Sequence, residues 1–176
     1  MESMEKIRVL AADDEYWSRE NLRNLLPWQE YGMEFLEPAC DGEEVLERME
    51  EERPDILLTD INMPFMDGLE LLARMQKEYP DVITVAVSGY DDFEKVKGTF
   101  LSGGIDYLLK PVGREDLEQV IHKVTDLLEK QKRQKEQEQI QDVRKKRTQS
   151  YLADGMFSAL LTSQLYGRGQ ETEELQ

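Results

Sequence analysis

The chain alternates between short apolar runs and longer stretches in which apolar residues recur every three or four positions. Five runs, Ile7 to Ala12, Met33 to Ala39, Ile56 to Thr59, Val82 to Val87 and Ile105 to Leu109, are rich in β-branched residues and have the length of buried strands. Between them Leu22, Leu25 and Leu26, then Val45, Leu46 and Met49, then Leu69, Leu71, Leu72 and Met75 fall at helical spacing and predict crossover helices. Strands alternating with helices imply right-handed βαβ units and a parallel sheet covered on both faces. The expected class is a doubly wound α/β fold.

Turn residues place the boundaries. Asp41-Gly42 turns the chain out of the second run, Pro54 cannot continue a helix, Asp67-Gly68 opens the third helix, Pro80 closes it, and Gly103-Gly104 suits the turn into the fifth strand. From Glu115 to Gln149 there is neither Gly nor Pro, which predicts one extended final helix. Its first half carries the stripe Leu117, Val120, Ile121, Val124, Leu127 and Leu128, which should pack on the sheet. Residues 1–128 therefore read as one domain. Residues 129–150 read as a helical linker in which only Ile140 and Val143 could support a coiled-coil seam. Residues 151–176 read as a short amphipathic segment (Leu152, Met156, Phe157, Leu160, Leu161, Leu165) followed by a disordered tail.

Charge narrows the function classes. Lys and Arg total 22 against 38 Asp and Glu, a formal net charge of −16, so a grip on nucleic acid phosphates by these residues alone is not expected. Cys40 is the single cysteine, which excludes an internal disulfide and a cysteine-based zinc cluster and suits a reducing cytoplasm. No segment has the length and apolarity needed to cross a bilayer, so a cytoplasmic chain without membrane partners is expected.

In a doubly wound sheet, ligands sit beyond the carboxyl ends of the strands. The first strand ends in Asp13-Asp14-Glu15, the third in Asp60, the fourth in Ser88-Gly89 and the fifth in Lys110-Pro111. Ionised carboxylates crowded at one edge repel one another, and a hard cation relieves the conflict. Mg²⁺ suits one or two carboxylates, a backbone carbonyl near Asn62 and an incoming phosphoryl oxygen. With the repulsion reduced, the Asp60 carboxylate could attack phosphorus, while Lys110 pairs with Asp60 and Ser88 offers a hydroxyl to a phosphoryl oxygen. Each residue has a plainer reading: Asp13, Asp14 and Glu15 as helix caps, Ser88 as a cap, Lys110 as a surface residue. Four successive strand ends are hard to obtain from capping alone.

Asp13-Asp14, the run Thr59-Asp60-Ile61-Asn62-Met63-Pro64-Phe65-Met66-Asp67-Gly68, Ser88-Gly89-Tyr90 and Asp106-Tyr107-Leu108-Leu109-Lys110-Pro111 resemble the receiver domain of bacterial two-component response regulators over roughly Lys6 to Leu128. The resemblance implies a flavodoxin-like five-stranded sheet of order 2-1-3-4-5. It implies that Asp60 accepts a phosphoryl group from a sensor histidine kinase with Mg²⁺ bound by Asp14, Asp60 and the Asn62 carbonyl, and by Asp13 through water. It further implies that Ser88 and Tyr107 form a switch pair which changes the face built from the fourth helix, fifth strand and final helix, and that the Lys110-Pro111 bond is cis. For Tyr107 the plainer reading is a half-buried aromatic on a strand. Trp28-Gln29-Glu30-Tyr31-Gly32 and Ser88-Gly89-Tyr90-Asp91-Asp92-Phe93 look like receivers joined to AraC-type DNA-binding domains. That likeness implies an output in transcription, with DNA met only through a domain outside these residues, and a homodimer when phosphorylated.

The sequence departs from the family pattern at Gly98 in the fourth helix and at the doubled Gly103-Gly104. Two rivals remain. A phosphatase of the haloacid-dehalogenase kind would carry its nucleophile after the first strand in an Asp-x-Asp pattern, whereas Asp13 and Asp14 are adjacent. A receiver-like interaction module that is never phosphorylated would not require the full set of acids, hydroxyl and amine. On the phosphoacceptor reading the chain is a signalling domain and not an enzyme with a turnover substrate. The lone His122 reads as a partly buried helical histidine and not as a phosphorelay donor.

Overall fold

A computed structural model describes residues 6–89 and 106–167. The expected fourth helix, Tyr90, Gly98 and the Gly103-Gly104 turn lie outside the described residues. Five parallel strands, β1 (Ile7–Ala12), β2 (Met33–Phe35), β3 (Ile56–Asp60), β4 (Ile83–Ser88) and β5 (Asp106–Leu109), form one sheet in the order β2-β1-β3-β4-β5. Helices α1 (Tyr16–Leu25), α2 (Gly42–Glu52), α3 (Gly68–Glu78) and α4 (Arg114–Gly167) connect or follow the strands, and a 3₁₀ turn covers Trp28–Tyr31.

Alternation along each strand sorts side chains into two cores, because successive residues point to opposite faces of the pleat. Val9, Ala11, Ile56, Leu58, Val85 and Val87 pack with Leu22 of α1 and with Leu117, Ile121 and Val124 of α4. Leu10, Ala12 and Leu57 face the other way, onto Val45 and Met49 of α2 and Leu71 and Met75 of α3. Every residue of β3 and β4 is buried, as expected of interior strands covered on both faces.

Local chemistry starts the helices where the sequence indicates. Asp41 and Asp67 are N-caps whose carboxylates accept the N–H of Glu44 and Glu70, each at 2.8 Å. Glu44 reaches back to the Cys40 N–H at 2.8 Å, closing a reciprocal cap. At the end of α1 the Trp28 indole N–H donates to the carbonyls of Leu22 and Arg23, at 3.2 and 3.0 Å.

Two expectations are corrected. The run Met33 to Ala39 forms a strand only as far as Phe35. Pro38 has no N–H to give a ladder, and pairing with β1 resumes as an isolated bridge between Ala39 and Ala12. The final helix does not break between Gln149 and Tyr151 but runs on to Gly167. Gly155 alone penalises a helix by only about 1 kcal/mol, and no proline intervenes.

The chain divides into two compact units, Met1–Glu129 and Lys130–Gln176. The first holds the sheet and both cores. In the second, the helix exposes Ile140 and Val143 among charged and amide side chains.

Candidate functional site

The carboxyl ends of β1, β3, β4 and β5 bring the expected residues to one edge. Asp60 is the last residue of β3 and Ser88 the last of β4. Asp13 and Asp14 follow β1, and Lys110 follows β5 with its N–H on the Ser88 carbonyl at 2.8 Å. The Lys110-Pro111 bond is cis.

Asp13, Asp14 and Asp60 each offer a carboxylate oxygen, and these oxygens lie within 4.8 Å of one another. Asp13 and Asp60 are buried and Asp14 is exposed, so the cluster opens to solvent on one side. Lys110 Nζ sits 2.7 Å from Asp13 Oδ2 and 2.8 Å from Asp60 Oδ2. Sequence reasoning found the pair with Asp60 and missed the pair with Asp13. Asp13 and Lys110 are far apart in the chain, and only the sheet register sets their separation.

The electrostatics follow from burial and this one cation. Burial pushes the Asp60 carboxyl above its usual range, with the Asp13 charge adding to the effect, while Lys110 and the Asn62 backbone N–H pull it partly back. Burial alone would lower Lys110, yet its hydrogen bonds to Asp13 and Asp60 raise it above the usual lysine value. A set of three hard oxygen donors carrying more negative charge than Lys110 neutralises fits a hard divalent cation such as Mg²⁺.

Ser88 Oγ is fully buried and has no hydrogen-bond partner among the described residues. An unmet buried hydroxyl typically destabilises by about 1–3 kcal/mol, so its place beside the acidic cluster calls for a ligand atom. Tyr107 lies in β5 opposite Ala86 in register, and Ser88 lies two residues beyond Ala86. The two side chains therefore belong to the same sheet face. Tyr107 is partly covered, at 39% exposure. Asn62 is exposed in the loop after β3.

His122 departs from expectation. It is exposed, and its ring centroid lies 6.1 Å from that of Tyr31. Ile121 and Val124 occupy the core side of α4, and His122, one step of about 100° beyond Ile121, is turned away from it.

Two positioning residues were not legible. Gly68 packs against the end of β3: a Cβ there would fall 2.0 Å from the Asp60 carbonyl oxygen and 2.7 Å from Ile61 Cα. The Gly68 N–H meanwhile bonds the Ile61 carbonyl at 2.8 Å. The Asp-Gly pair signals a helix start but not this closeness. Arg19 donates from Nη1 to the Asp13 backbone carbonyl at 2.5 Å, and nothing in its helical position advertises that contact.

A doubly wound sheet of this order carries its acidic cluster, lysine and hydroxyl at the carboxyl edge of the strands, where such folds bind their ligands. A family model described as the response regulator receiver domain matches residues 9–122, and the chain belongs to that family. It is thus a receiver domain of the two-component signalling type.

The chain is 35% identical over 125 residues to the transcriptional regulatory protein HptR of Staphylococcus aureus, an alignment covering 70% of this chain and 49% of that protein. It is 36% identical over 114 residues to an uncharacterized response regulatory protein of Staphylococcus epidermidis, covering 65% and 45% respectively. The chain spans about half the length of these curated relatives.

Among solved structures it resembles the receiver domain of AraT, a response regulator from Geobacillus stearothermophilus. The TM-score is 0.68 at 37% identity, covering 73% of this chain and 99% of that one. It also resembles a two-component transcriptional regulator AraC from Clostridium phytofermentans, with a TM-score of 0.66 at 30% identity, covering 71% and 97%. The AraC-type likeness read from the Trp28 and Ser88 motifs is supported by these neighbours. No described helix is long and apolar enough to cross a membrane.

Proposed function

We propose that the protein is a phosphorylation-dependent switch in which Asp60 accepts a phosphoryl group from a phosphohistidine of a sensor kinase. The observation that carries this reading is the convergence of three carboxylate oxygens and Lys110 beside the unmet hydroxyl of Ser88. An Asp60 carboxylate oxygen forms the new bond to phosphorus as the P–N bond to the donor histidine breaks, and the electron pair stays on the departing imidazole. Asp14 and Asp60, the Asn62 backbone carbonyl and, through water, Asp13 would hold Mg²⁺. When bound, the cation screens the donor's charge from the carboxylates.

The chain's own groups do the rest. Lys110, already between Asp13 and Asp60, offsets the charge of the phosphoryl oxygens, and Ser88 donates a hydrogen bond from its hydroxyl to one of them. Phosphorylation adds about −1.5 to −2 charge at this edge. Ser88 and Lys110 follow that charge, and Tyr107 repacks on the sheet face it shares with Ser88. The face formed by β5 and α4 then changes its partners, favouring a homodimer and an output in transcription through a DNA-binding domain beyond these residues.

Incubation with acetyl phosphate and Mg²⁺ should add one phosphoryl group by intact mass. Asp60→Asn should abolish the adduct, and a full adduct on that variant would overturn the assignment. A receiver-like module that is never phosphorylated would show no adduct on either protein.

A further inference from the structure

We propose that Arg19 is a positioning residue for the divalent cation, setting cation affinity by holding the turn that carries Asp13 and Asp14. This inference rests on the acidic cluster being a cation site, as argued above.

Asp13 is gripped at each of its polar atoms. Its N–H donates to the Ala39 carbonyl at 3.2 Å, its Oδ1 accepts the Glu15 N–H at 2.9 Å, and its Oδ2 pairs with Lys110 at 2.7 Å. The remaining atom, its carbonyl oxygen, takes the Arg19 guanidinium at 2.5 Å.

The usual device for fixing the entry to a helix is missing at this point. Glu15 occupies the N-cap of α1, but its side chain makes no cap hydrogen bond, and the first turn holds no acidic residue. Arg19 replaces that device from inside the helix. Its guanidinium carbon lies 5.9 Å from the Tyr16 ring centroid, so the arginine is steadied on an aromatic face while it reaches the carbonyl. Asp14 is the next residue along the chain, and the same turn directs its exposed carboxylate.

Charge and positioning make opposite predictions. A guanidinium near a cation site repels an incoming Mg²⁺, so on charge alone removing Arg19 tightens binding. If Arg19 holds the turn, its removal frees the Asp13 carbonyl, and the two carboxylates must be ordered at each binding event. Loss of a group that orients a ligand in this way lowers metal affinity by about tenfold or more.

The test is a Mg²⁺ titration of the full chain followed by the fluorescence of its two tryptophans, one of which, Trp17, is exposed on α1. Arg19→Ala should raise the Kd about tenfold. Arg19→Lys, which keeps the charge and one donor, should fall between the two proteins. Arg23→Ala removes an arginine of the same helix that pairs with Glu20 and Glu37 instead, and should leave the Kd unchanged. Melting curves in EDTA report the fold separately, and Arg19→Lys carries the test if Arg19→Ala does not fold. A wild-type chain that ignores Mg²⁺ sinks the cation site itself. A wild type that binds, beside an Arg19→Ala or Arg19→Lys chain that binds as tightly or more tightly, overturns the positioning role alone.

Discussion

Lys110 is the residue on which the acidic edge balances, since it alone among the described cations touches both Asp13 and Asp60. Replacing it with Met leaves two buried carboxylates facing each other. In EDTA this should lower stability by about 2 kcal/mol, below the fully buried range because a quarter of the lysine side chain is exposed. An unchanged denaturant midpoint would contradict that role. Cys40 offers a second test, with pH as the variable. Its hydrogen bond to Glu44, with desolvation and the charges of Glu44 and Asp41, pushes the thiol up from 9.0 to about 11. A raised pKa means that the neutral thiol persists to higher pH. At pH 8 the thiolate fraction falls about a hundredfold relative to an ordinary cysteine, and its greater intrinsic nucleophilicity restores about tenfold. Iodoacetamide should therefore modify Cys40 about tenfold more slowly than a free thiol at pH 8, with the rate still climbing toward pH 11. Glu44→Gln should remove most of the difference, and an ordinary rate in the native chain would refute the account. At this scale the chemistry was legible wherever a motif named it, as at Asp60, Lys110 and Ser88. What escaped were contacts made from a distance: Lys110 with Asp13, and Arg19 with a backbone carbonyl.

Periodicity places an element correctly where one physical signal dominates. β1 begins and ends where its apolar run does, and α2 and α3 start at the acidic caps. Periodicity misplaces an element where two signals compete. Pro38 interrupts the strand-like run from Met33 to Ala39, and a lone glycine proves too weak to stop α4. Gly68 links element and site most tightly, because α3 can start there only by passing against the Asp60 carbonyl. Gly68→Ala must push backbone against backbone, and the expected loss is about 3 kcal/mol. A midpoint within error of wild type in urea would show that the loop gives way freely. Trp28→Phe keeps the packing ring but removes the N–H that serves the last carbonyls of α1, and should lower stability by about 1 kcal/mol.

At the scale of the whole molecule, the described residues of both cores lie within Met1–Glu129, and among them Val124 is the last to be fully buried there. A chain ending at Glu129 should melt cooperatively at the same temperature as the full chain. A large drop would mean that the remaining helix supports the sheet. The net charge of −16 is spread over the whole chain, yet the proposed function uses three of its carboxylates, brought together by a strand order that composition cannot show. The most direct test of the account is to treat the protein with acetyl phosphate in Mg²⁺, reduce any acyl phosphate with borohydride, and locate the altered aspartate by peptide mass. Modification at Asp60 that disappears in EDTA is the predicted result. Modification elsewhere, or at Asp60 without regard to the cation, would contradict it.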